Sequence, residues 1–105
     1  MTDKLEAIKN RFIEVGEMLV QPDIMSDMKN YSKLSKEYKD LEKIVNKYDE
    51  YQKVLNDIES AKAMLETEKD PEFRNMAKAE LDELNPEKVN IEEELKQLLI
   101  PKDPN

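Results

Sequence analysis

The sequence predicts an all-α protein, with a three-helix bundle at its base and a long antiparallel two-helix, coiled-coil-like arm. Three observations carry this. There is one Gly in 105 residues, and the chain is rich in Glu, Lys, Leu and Met, which are strong helix formers. Apolar residues recur at spacings of three and four over long stretches, the stripe of a 3.6-residue period. The helix breakers are confined to Pro22, the stretch 67–71, Pro86 and the segment 101–104.

The first helix is expected over about residues 3–20. Thr2 is a cap-type residue, and Leu5, Ile8, Phe12, Val15 and Leu19 follow as one apolar stripe. Gln21-Pro22-Asp23 ends it, because the residue before a proline is pushed out of the α region. Gly16 lies inside this helix at a cost of about 1 kcal/mol relative to Ala. A close helix–helix approach would account for it, and so would sequence drift.

The second helix is expected over about 27–67, opening at the cap residues Ser26 and Asp27. Its stripe runs Tyr31, Leu34, Tyr38, Leu41, Val45, Tyr48, then Tyr51, Leu55, Ile58, Ala61 and Leu65. At 1.5 Å per residue such a helix is roughly 60 Å long. The third is expected over about 71–99, announced by Asp70 as N-cap, Pro71 at the first position and Glu72 in the first turn. Its stripe is Phe73, Ala77, Leu81, Leu84, Ile91, Leu95 and Leu98. Pro86 lacks a donor and crowds the preceding turn, so a kink or short break is expected there.

A turn near residue 69 would fold the third helix back along the second. The shorter first helix would lie on the early part of the second. The bundle then uses about residues 3–45 and 85–99, and the arm about 48–82, with Ala61, Ala63, Ala77 and Ala79 permitting close approach. A pair of helices buries little area, so the arm is expected to be the least stable region. Residues 1–99 form one helical domain, and 100–105 read as the start of an interdomain linker, semi-extended by its prolines and charges.

Composition excludes most chemistry. With no Cys and no His, thiol nucleophiles, imidazole bases and the usual zinc sites cannot be built. A single Gly cannot form a Gly-rich phosphate cradle. No enzyme activity, cofactor or metal is expected. The absence of Cys fits a reducing compartment. The N-terminus has no signal-peptide pattern, and no apolar run reaches the roughly 20 residues that span a bilayer, so a cytoplasmic location away from membranes is expected. The net charge of −8 is uneven: residues 1–53 carry 10 basic and 11 acidic side chains, residues 54–105 carry 7 and 14. Contact with RNA, which needs a basic footprint, would use the first half.

One basic pattern stands out. Lys29, Lys33, Lys36, Lys39, Lys43 and Lys47 fall within an arc of about 120° on the second helix, opposite its apolar stripe. They make a ridge for RNA phosphates or an acidic protein, or else a solvated face, since Glu37, Asp40 and Glu50 lie in or beside the arc. Tyr31, Tyr38, Tyr48 and Tyr51 have the spacing of seam residues rather than base-stacking ones. Met64 and Met76 flank the expected tip, where they could serve a peptide groove or simply fill gaps. The acidic clusters Asp82-Glu83 and Glu92-Glu93-Glu94 point about 100° apart from residue to residue and cannot converge on one ion.

Several segments carry a family resemblance. Ser35-Lys36-Glu37-Tyr38-Lys39-Asp40-Leu41, Asp57-Ile58-Glu59-Ser60-Ala61-Lys62-Ala63-Met64-Leu65 and Asp70-Pro71-Glu72-Phe73-Arg74-Asn75-Met76-Ala77 resemble the N-terminal domain of bacterial class I peptide chain release factors. Leu98-Leu99-Ile100-Pro101-Lys102-Asp103-Pro104 is similar to the Leu-Leu-Leu-Pro-Lys-Asp-Pro junction of the factor 1 branch. The resemblance covers about residues 30–105 well and the first helix weakly; Pro86 departs from the uninterrupted helix of many relatives. It implies translation termination. The complete factor would direct peptidyl-tRNA hydrolysis at UAA and UAG codons, with this part reaching the stalk base of the large ribosomal subunit beside other domains of the same chain. Neither Gly-Gly-Gln nor a Pro-x-Thr codon-reading tripeptide occurs here, so no catalytic residue carries over. A free-standing helical-hairpin adaptor or oligomerisation module would share the composition, and an exposed arm would permit self-association.

Overall fold

The computed structural model describes residues 2–101. Three helices, α1 (Thr2–Leu19), α2 (Met28–Thr67) and α3 (Pro71–Leu98), are joined by short connections, with a 3-10 turn at Ile24–Ser26 between α1 and α2. Among the described residues there is no strand. The all-helical class and the long antiparallel helix pair expected from the sequence are both present. The chain divides into two compact units, residues 1–48 and 49–105, and α2 runs through both.

In the first unit the backbone leaves α1 just before Pro22 and re-enters helix at Met28. The side chain of Asp27 accepts from the Asn30 N–H at 3.2 Å, satisfying one of the donors that a helix start leaves orphaned. Contacts between Glu6 and Tyr48, and between Arg11 and Glu37, show α1 antiparallel to the early part of α2. Leu5, Val15, Leu34, Val45 and Tyr48 are buried.

Gly16 has a packing reason. A Cβ at this position would lie 3.2 Å from Cε2 of Tyr38. That ring stacks on Phe12 with centroids 4.4 Å apart. The missing side chain is the space in which the aromatic pair sits.

In the second unit α2 turns into α3 through Glu68-Lys69-Asp70. The Asp70 side chain accepts from the Glu72 N–H at 3.0 Å, with Pro71 opening the helix. Arg74 reaches back to donate to the carbonyls of Leu65 and Glu68, two of the acceptors that the end of α2 leaves unpaired. This tip is held by capping rather than by burial, because Phe73 and Met76 are both exposed. The hydrogen bond from Tyr51 to Glu92 at 2.8 Å shows α3 antiparallel to the later part of α2.

Three expectations are corrected here. The short break at Pro86 is absent: α3 is helical without interruption from Pro71 to Leu98. Pro86 is exposed, so its ring meets solvent rather than a packed neighbour. Of the four alanines, Ala61 and Ala77 are buried, whereas Ala63 and Ala79 face outward. The seam carries Val54 in place of Leu55, and Phe73 lies off it. Buried positions in the later part of α2 (Tyr51, Val54, Ile58, Ala61) thus keep a three-four spacing. Of the expected linker 100–105, residues 102–105 lie outside the described residues, while Leu99 and Ile100 close α3 with N–H bonds to Leu95 and Gln97.

Candidate interaction face

The lysine ridge is the patterned polar feature of the first unit. Lys29, Lys33, Lys36, Lys39 and Lys43 are exposed, and Lys47 is half-buried. At 1.5 Å per residue the five exposed lysines span about 21 Å of helix. Leu34 and Val45, on the opposite side of α2, are buried, so packing fixes which way the lysines point.

The structure changes the charge balance beside this ridge. Arg11 of α1 donates to both carboxylate oxygens of Glu37, at 3.0 and 2.8 Å, and also bonds Glu14 at 3.2 Å. The Arg11 hydrogen bonds, with the attraction of its charge and that of Lys33, hold the Glu37 carboxyl below the ordinary carboxylate range despite its desolvation. The same pairing raises Arg11. Glu37 is therefore engaged by a residue that no local pattern places there. A shallow groove of about 500 Å³ follows, lined by Arg11, Lys33, Lys36, Glu37, Asp40 and Leu41. A second, of about 340 Å³, is lined by Asp27, Lys29, Asn30 and Lys33. The ridge thus has a concave flank of mixed charge, with Arg11, Lys29, Lys33 and Lys36 beside Asp27, Glu37 and Asp40.

The tyrosines are seam residues. Tyr48 is 2% exposed and Tyr51 7%; their hydroxyls donate to Glu6 at 2.6 Å and Glu92 at 2.8 Å. Burial, the bond to Glu92 and the repulsion of its charge push the Tyr51 phenol up to about 12. Tyr31 and Tyr38 are half-buried. These rings close helix pairs and are not laid out as a stacking platform.

The acidic run on α3 separates as helix geometry requires. Glu92 accepts from Tyr51, while Glu93 pairs with Lys96 at 3.6 Å. Glu72, Glu80, Glu83, Glu87 and Glu94 are all exposed and share an arc of about 80° that holds no Lys or Arg. Met64 and Met76, near the tip, are 41% and 61% exposed. No group of residues able to hold a metal ion occurs among the described residues, and no helix is long and apolar enough to cross a membrane.

Over all 105 residues the chain is 59% identical to peptide chain release factor 1 of Cytophaga hutchinsonii, covering 29% of that protein. It is 52% identical over 105 residues to peptide chain release factor 1 of Amoebophilus asiaticus, covering 30% of it. Against peptide chain release factor 1 of Parabacteroides distasonis, identity is 54% over 101 residues, or 96% of this chain and 27% of that one. The chain therefore spans under a third of the length of the curated relatives it matches. No solved structure matches it at a significant level. The family model of the PCRF domain matches residues 8–105, and with this match, which takes in α2, α3 and most of α1, the chain belongs to the PCRF domain family.

Proposed function

We propose that this chain is the ribosome-interaction domain, N-terminal in the complete protein, of a translation termination factor. The observation that carries the reading is the end-to-end similarity to peptide chain release factor 1 over under a third of that protein's length. The complete factor directs peptidyl-tRNA hydrolysis at UAA and UAG codons. This part supplies binding and positioning near the large-subunit stalk base, in the cytoplasm and away from membranes, and carries no catalytic group. Three things support a binding role. The sequence holds neither Cys nor His, and it contains no Gly-Gly-Gln. Its conspicuous polar feature is a one-sided row of lysines. We assign the contact to Lys29, Lys33, Lys36, Lys39 and Lys43, with Lys47 at its margin.

Co-sedimentation with ribosomes, run beside a peptidyl-tRNA hydrolysis assay on stop-programmed ribosomes, tests this. The chain is expected to pellet with ribosomes and to release no peptide above background. Stop-codon-dependent release by the chain, or no ribosome binding at low salt, would overturn the reading.

A further inference from the structure

Taking the ribosome contact above as given, we propose that the Lys29–Lys43 face docks along the phosphate backbone of folded RNA without reading bases. The chemistry of the ridge selects this partner among the three classes of anionic surface.

An acidic protein fits less well. Protein interfaces draw their energy from aromatic, Met and Arg anchors in a desolvated centre, and lysine is depleted there. The ridge is built on lysines, with Asp40 the one carboxylate inside the Lys29–Lys43 arc, and it holds no aromatic, Met or Arg anchor. None of the exposed large hydrophobic residues falls between positions 29 and 47. An anionic membrane fits no better. A surface-bound basic helix needs a free apolar face to sink into the headgroup region, and in α2 that face is taken up by buried Leu34, Val45 and Tyr48.

Phosphates need neither device. Lysine acts as a point charge, and the free energy comes from released counterions, so a row of exposed ammonium groups on a rigid helix suffices. Base reading would need aromatic or guanidinium planes for stacking. Tyr31 and Tyr38 lie on the other side of α2, half-buried, and Arg11 is committed to Glu37 and Glu14. That commitment also serves the ridge, because it offsets the Glu37 carboxylate beside Lys33. The surface can follow a backbone and cannot tell one sequence from another.

The test is titration of the chain with protein-free large-subunit ribosomal RNA across a potassium chloride series. If all five lysines engage phosphates, the plot of log K against log salt has a slope of about −3.5 to −4.5. Changing Lys29, Lys33, Lys36, Lys39 and Lys43 to Gln should weaken binding by at least about tenfold at low salt and flatten the slope. A control with Lys53, Lys62, Lys69, Lys78 and Lys96 changed to Gln carries the same net charge and should keep the slope. Circular dichroism checks that both variants remain helical.

A slope shallower than about −1 for the unmodified chain, or equal losses in ridge and control variants, would overturn the proposal. So would tighter binding to polyglutamate, or to phosphatidylcholine vesicles containing phosphatidylserine, than to RNA. Ribosome binding without this RNA behaviour sinks the phosphate-docking claim and leaves the ribosome reading standing. The RNA slope without ribosome binding does the reverse.

Discussion

Single residues set how α1 and α3 are held on α2. Gly16 makes room for the Phe12–Tyr38 stack, and its substitution has a sign that depends on size. Alanine gains about 1 kcal/mol of helix propensity, which a small displacement of Tyr38 offsets, so the variant should be nearly neutral. Gly16→Leu overpacks the site and should cost about 1–3 kcal/mol in urea unfolding. A neutral leucine variant would mean that the two helices do not close there. In the second unit Tyr51 titrates far above its ordinary value of 10.0. A folded pKa that is raised contributes stability below the unfolded value, and this stability is lost as pH rises through the folded one. The second unit should therefore weaken between pH 10.0 and about 12, followed by tyrosinate absorbance and circular dichroism together. Tyr51→Phe should cost about 1 kcal/mol at neutral pH and remove that part of the alkaline loss.

At the scale of elements, tertiary packing outweighs one strong breaker. Pro86 removes a donor from α3 and crowds the turn before it, yet the helix continues. The buried residues on either side, Leu84 and Ile91, belong to the same packed face and hold the two halves of α3 in register. Pro86→Ala should raise stability by up to about 3 kcal/mol, read as an increase in the urea midpoint. No gain would mean that the proline strain is already relieved in the fold. Much at this scale was legible in the sequence. The cap at Asp70, the stop before Pro22 and the long span of α2 follow from rules that act within a few residues, so a single sequence carries them. Of the kink or short break expected at Pro86, the break does not occur, because tertiary packing acts over a longer range than the proline rule. Val54 replacing Leu55 in the seam, and Phe73 lying outside it, have the same cause: a stripe fixes a face to within one residue, and the partner helix decides which neighbour is buried.

At the scale of the whole molecule, the candidate face was half legible. The lysine spacing and its arc could be read from the chain, since both follow from helix geometry. That Arg11 would sit on Glu37 could not, because the two are 26 positions apart and only the packing of α1 on α2 brings them together. The pairing tips the reading of the ridge from a balanced solvated face toward a cationic one. The charge asymmetry points the same way: 14 acidic side chains against 7 basic make residues 54–105 the more anionic half. The family match adds what physics alone does not supply, namely that the chain is similar, over its whole length, to under a third of the length of proteins named peptide chain release factor 1. On the proposed function, this chain occupies the ribosome where the matching part of a complete release factor does. Competition measures it most directly: labelled chain bound to ribosomes, challenged with complete peptide chain release factor 1 from Cytophaga hutchinsonii. The complete factor should displace the chain as its own occupancy rises; binding that persists at saturating factor rules out a shared site.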